Sequence, residues 1–123
     1  MANKRCLIIN GHSFPVLPLA YELNQTAFRP DFCLGTDDFH TPEELVARVE
    51  KGLESCGYSN ARDQSFSGTV VPMKHYRKDQ RVQSLMIEIN RWLYLGEDYS
   101  VDSERTKTLV SVLRRVAEGL EDN

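Results

Sequence analysis

The chain has 123 residues, 41% hydrophobic and 27% charged, the proportions of an ordinary water-soluble domain with room for one real core. Its net charge of −3, with no basic block or basic-aromatic stripe, argues against a nucleic-acid partner. No apolar run approaches the roughly 18 residues a membrane span requires, and no signal-peptide pattern opens the chain. Three cysteines, Cys6, Cys33 and Cys56, are odd in number and lack C-x-x-C spacing, which reads as reduced thiols in a cytoplasmic protein.

In chain order, residues 5–10 form a short hydrophobic strand that stops at Gly11-His12-Ser13-Phe14-Pro15. His12 falls just beyond the strand's carboxyl end, where open α/β sheets place their sites. It suits a metal ligand, a base, or a hydrogen bond in a turn. Pro15 and Pro18 make the next segment a loop as far as Arg29-Pro30. A second strand covers 31–35. Thr41, Pro42 and Glu44 then spell a helix N-cap, first turn and capping box, with Leu45, Val46, Val49 and Leu53 as the buried stripe and Gly57 as the stop. His40 and Glu43 also have the H-x-x-E spacing of some zinc peptidases, although the cap accounts for Pro42 and Glu44 without a metal. A third strand is expected at 58–61, a glycine-bearing loop at 64–69, and a short edge strand at 69–73, confined there by Pro72. Residues 74–78 are a solvated basic cluster containing a surface histidine, His75.

Leu85, Met86, Ile87 and Ile89 then make an apolar run of strand length, interrupted by Glu88. Alternation puts Ser84, Met86, Glu88 and Asn90 on one face and Gln83, Leu85, Ile87 and Ile89 on the other. A carboxylate buried there needs a cation, a metal or water, because leaving it unpaired costs several kcal/mol. Two plainer readings remain open: an arginine partner, or a solvent-facing side chain. After a turn at 96–100, Asp102 or Ser103 caps a last helix with Leu109, Val112, Leu113, Val116 and Leu120 on one face. Strands alternating with two amphipathic helices predict a three-layer α/β domain, with no repeat or linker dividing it.

His12-Ser13-Phe14-Pro15, Arg29-Pro30-Asp31 with Leu34-Gly35-Thr36-Asp37, Phe66-Ser67-Gly68, and the string from Val82 to Tyr94 together resemble the N-formylglutamate amidohydrolase family. Order and spacing agree across residues 5–96, and the pattern Q-x-x-x-x-E-I-N-R-x-L-Y is the most specific part. The resemblance implies a zinc-peptidase-like (phosphorylase/hydrolase-like) fold, partial here, with a mixed sheet and two main helices. It implies a zinc cofactor and hydrolysis of a small acidic N-acyl amino acid such as N-formylglutamate. By the same resemblance His12 matches a zinc ligand, and Glu88 matches the glutamate that activates the zinc-bound water. Arg29, Arg81 and Arg91 are the candidates for a substrate carboxylate.

The resemblance also has departures. Family members are longer and take their other zinc ligands from upstream of the histidine motif, and Asn10 stands where the family often has aspartate. Residues 1–123 are therefore expected to form one domain corresponding to the C-terminal half of the enzyme. A catalytic zinc takes three protein ligands and one is matched, so the chain alone is expected to hydrolyse N-acyl amino acids poorly unless His40, Glu43 or a second chain completes the site. The alternative is a non-catalytic α/β remnant that binds an acidic metabolite or a protein partner. Two structural expectations follow: His12 and Glu88 converge on one cleft, and exposed strand edge or apolar surface drives homo-oligomerisation.

Overall fold

The strand carrying Glu88 sits inside the sheet, and its two faces decide where everything else packs. In the computed structural model, which describes residues 5–15, 29–64 and 67–121, the elements are β1 (Cys6–Phe14), β2 (Phe32–Gly35), α1 (Glu43–Ser55), β3 (Asn60–Arg62), β4 (Val82–Asn90) and α2 (Ser103–Glu121). A short 3-10 turn, Arg91–Leu93, follows β4. The sheet order is β1-β4-β2-β3, with β4 parallel to β1 and antiparallel to β2, and β3 parallel to β2. The loop expected around Pro18, and Phe66 of the glycine loop, lie outside the described residues.

Alternation along β4 is as expected. Leu85 and Ile87 join Phe32 and Leu34 of β2 in a core completed by Leu45, Val46, Val49 and Leu53 of α1 and Leu109 and Val116 of α2. Each large apolar side chain removed from water there is worth about 1.5–3 kcal/mol. Both helices draw their apolar stripes to this one face, and the described residues form an α/β unit of a four-stranded mixed sheet and two helices. Ser84, Met86, Glu88 and Asn90 point the other way and are nevertheless buried. No helix is long and apolar enough to cross a membrane among the described residues.

Four local expectations are corrected. β1 continues to Phe14 instead of stopping at Asn10, because β4 offers a pairing partner at every step from Cys6↔Val82 to Phe14↔Asn90. The third strand is Asn60–Arg62 rather than 58–61. Residues 69–73 form no strand, since side chains rather than a neighbouring backbone take up this loop: the Val70 carbonyl accepts from Ser84 Oγ at 2.9 Å and Asn10 Nδ2 at 3.3 Å. Thr41 does not cap α1, whose N-cap position is Pro42 with no side-chain cap. The Thr41 hydroxyl instead donates to the Ser84 carbonyl at 2.6 Å and accepts from the Asp37 N–H at 2.9 Å.

Elsewhere the signals hold. Gly57, at φ 88°, follows the end of α1. Asp102 caps α2, its Oδ1 accepting from the Glu104 and Arg105 N–H groups at 3.0 Å each. The loop over the Glu88 face depends on two glycines. Gly68 adopts φ 81°, and a side chain at Gly35 would run into the Gly68 carbonyl and Met86.

Candidate active site

β1 and β4 are parallel, so their carboxyl ends lie together. His12 is the register partner of Glu88 across that pair, and Cys33 of β2 is its partner on the other side. In-register side chains on neighbouring strands leave the same face of the sheet, so the three form one row. The expected juxtaposition of His12 and Glu88 is therefore present. His12, on the outer strand of the described sheet, is exposed.

Glu88 is only 6% exposed, and its Oε2 is buried with no hydrogen-bond partner among the described residues. Burial pushes its pKa up from the ordinary 4.5, while the positive charges of His12 and Arg91 pull it partly back. No ion pair holds this carboxylate among the described residues, which removes both plainer readings of it. Cys33, fully buried next to it, has its thiol pushed up to about 11, mainly by burial, with Arg29 opposing and Glu88 adding to the rise. At neutral pH it is a neutral neighbour and a poor nucleophile. The sequence did not select Cys33, because only the antiparallel register of β2 against β4 brings it here.

The three arginine candidates separate. Arg29 is buried against the Phe14 ring at 5.4 Å, donates to the Pro15 carbonyl at 3.3 Å, and bears on Cys33. Arg91 is exposed at the end of β4, with Nε donating to Ser13 Oγ at 3.2 Å, and its charge is felt at Glu88. Arg81 is not part of this group. It lies at the opposite end of β4, roughly 23 Å from Glu88 along an extended strand, and is paired with Asp79 at 2.8 Å.

Around the row, family-like motifs tie to one another. The Asn90 N–H donates to the Asp31 carbonyl at 2.9 Å, its amide to the Pro30 carbonyl at 3.2 Å, and Trp92 Nε1 to Asp31 Oδ1 at 3.1 Å. Asn10 is committed to Thr69 Oγ1 at 2.6 Å and Ser84 Oγ at 3.3 Å, so it anchors the overlying loop. A groove of about 730 Å³, lined among others by Pro15, Arg91, Trp92, Leu95 and Tyr99, opens beyond the same strand ends.

The H-x-x-E pair is structural. His40 Nε2 accepts the Arg77 N–H at 2.7 Å, so Nδ1 carries the proton and donates it to the Val82 carbonyl at 2.7 Å. Glu43 is held by both terminal nitrogens of Arg62, at 2.7 and 2.9 Å, which lowers its pKa. Neither reaches His12. Among the described residues no group of three or more His, Cys, Asp or Glu is placed to hold a metal ion.

Comparison with known proteins agrees with this arrangement. The crystal structure of N-formylglutamate amidohydrolase from Ralstonia eutropha JMP134 superposes with a TM-score of 0.64 at 25% identity, over 95% of this chain and 44% of that chain. The present chain thus spans less than half of that protein's length. No curated protein matches. The sequence pattern of the family described as N-formylglutamate amidohydrolase matches residues 1–95. That is the part of the chain before α2. A match over 95 of 123 residues establishes that the chain belongs to the N-formylglutamate amidohydrolase family.

Proposed function

We propose that the chain contributes to a hydrolase that cleaves the amide of an N-acyl amino acid, with N-formylglutamate as the type substrate. The observation that carries this reading is the buried carboxyl of Glu88, one oxygen of which has no partner among the described residues, beside the exposed imidazole of His12 at the carboxyl ends of two parallel strands. Amide hydrolysis needs a group that takes a proton from water and delivers one to the leaving nitrogen. A carboxylate whose pKa is raised toward neutrality suits both halves of that task. Arg91, exposed and with its charge felt at Glu88, is assigned the substrate carboxylate in this reading.

A zinc in such a site would acidify a bound water and polarise the scissile carbonyl. The described residues offer two adjacent donors, His12 and Glu88, where a catalytic zinc takes three protein ligands. They do not make a complete zinc site, and the proton chemistry above is that of Glu88 alone. Zinc is proposed with His12 as one ligand and the rest supplied from outside the described residues. The finer fold assignment, a three-layer zinc-peptidase-like domain, is proposed for the assembly that holds such a metal. The three free cysteines favour a cytoplasmic location. The non-catalytic alternative has no observation of its own in its favour.

We also propose that a second copy pairs with the outer edge of β1. Among the described residues this edge is unpaired, and its Leu7 and Ile9 are 37% and 45% exposed. Light scattering should show a dimer that Ile9→Lys dissociates; a monomer at all concentrations contradicts this.

The functional reading is tested by hydrolysis of N-formyl-L-glutamate with added zinc. The expected result is slow, zinc-dependent turnover that His12→Ala and Glu88→Gln both abolish. Turnover that survives both substitutions refutes it.

A further inference from the structure

We infer that Ser13 is a positioning residue for Arg91: its hydroxyl takes the Nε–H of the guanidinium and leaves the two terminal nitrogens as a fork for a ligand carboxylate. The inference rests on the amidohydrolase reading for one point, the assignment of Arg91 to that carboxylate.

The root of Arg91 is already held by its neighbours. Asn90, just before it, is the last paired residue of β4, stands opposite Phe14 of β1 and is 1% exposed. Its N–H donates to the Asp31 carbonyl at 2.9 Å, its amide to the Pro30 carbonyl at 3.2 Å, and its Oδ1 accepts the Trp92 N–H at 3.2 Å. The Arg91 carbonyl in turn accepts the Leu95 and Tyr94 N–H groups at 3.0 and 3.1 Å. These bonds fix the Arg91 backbone and leave its long, exposed side chain free to turn.

Ser13 restrains that side chain. It is half-buried near the end of β1, in register with Ile89, and its Oγ accepts from Arg91 Nε at 3.2 Å. Among the described residues this is the one hydrogen bond of the Arg91 side chain, and no carboxylate pairs with it. The identity of the bonded nitrogen matters. A guanidinium meets a carboxylate bidentately along one of two kinds of edge, Nε with a terminal nitrogen or the two terminal nitrogens together. The serine occupies the first edge and leaves the second.

Other arginines of the chain show what a structural role looks like. Arg81 gives Nε and Nη2 to Asp79 at 3.0 and 2.8 Å. Arg62 gives Nε and both terminal nitrogens to Glu43 and Glu50. Both are neutralised by the groups that orient them. Arg91 is oriented by a neutral hydroxyl, so its direction is set while its charge stays available to a ligand.

Calorimetric titration of the metal-free protein tests this with N-formyl-L-glutamate and with its diamide, which has no carboxylate. Ser13→Ala should weaken N-formyl-L-glutamate about 3- to 10-fold and leave the diamide unchanged. Ser13→Thr, which keeps the hydroxyl, should restore most of the affinity. In an Arg91→Ala chain, adding Ser13→Ala should change nothing further, because the two residues act as one unit. With zinc added, the loss in Ser13→Ala should fall on KM and not on kcat. Full affinity in Ser13→Ala, equal weakening of both probes, a loss that persists without Arg91, or no binding of N-formyl-L-glutamate by the wild type would overturn the inference. Weakening by Arg91→Ala but not by Ser13→Ala removes the role of Ser13 and leaves the amidohydrolase reading standing. The expected binding pattern without zinc-dependent hydrolysis does the reverse.

Discussion

Glu88→Gln is expected to lower hydrolysis by at least about 100-fold while raising the melting temperature by roughly 3–6 °C at neutral pH. The two effects share a cause. The carboxyl group is buried with one oxygen unpartnered among the described residues, a costly arrangement retained where a proton must be moved. A glutamine of the same shape removes the charge but brings an amide that also lacks partners, so the gain is modest, about 1 kcal/mol. The pH dependence fixes the sign. Below the ordinary value of 4.5 the carboxyl is protonated in both folded and unfolded chains and nothing is lost. As pH rises through the higher folded-state pKa, the folded chain must ionise a group that the unfolded chain ionised earlier, and stability falls. With chelator present, the variant should therefore match wild type near pH 4 and exceed it near about pH 8. An equal difference at both pH values, or a variant that melts lower at both, would show that the carboxylate is not strained by burial.

His40→Ala is expected to cost about 3–5 kcal/mol, a fall in melting temperature of roughly 10–20 °C. The ring is fully buried, bonded at both nitrogens, and packed edge-on against Phe39 at 4.7 Å. Truncation leaves a cavity and strands the Val82 carbonyl and the Arg77 N–H. The 73–78 turn should then loosen first, since His40 Nε2 accepts from the backbone N–H of Arg77 there. His40→Asn retains a donor near the Nδ1 position and should recover part of the loss. Urea denaturation and hydrogen exchange at the Arg77 amide read both effects. A loss below about 1 kcal/mol would contradict the structural role of this histidine.

Those two residues mark how far the sequence was legible. Elements driven by periodicity were readable: the α1 stripe, the Asp102 cap and the two faces of β4 need only local chemistry. Elements decided by a distant partner were not. Gly11-His12-Ser13 lacks an apolar alternation and becomes strand only because β4 lies alongside it. Thr41 has the sequence of a cap, but the Ser84 carbonyl, 43 positions away, competes for its hydroxyl and wins. In the site, Glu88 stood out as a carboxylate inside an apolar run. Its neighbour Cys33 could not be found without the strand order. Arg81 and Arg91 look alike in sequence, and only Asp79, two residues before Arg81, hints that the former is already paired.

The central claim is that His12 and Glu88 share one site, and a carboxyl-carbon NMR titration of Glu88 tests it most directly. Glu88 in the metal-free protein is expected to titrate above the ordinary 4.5, and His12→Ala to raise it further by removing a neighbouring positive charge. A Glu88 that titrates in the ordinary range and is unmoved by His12→Ala would contradict it.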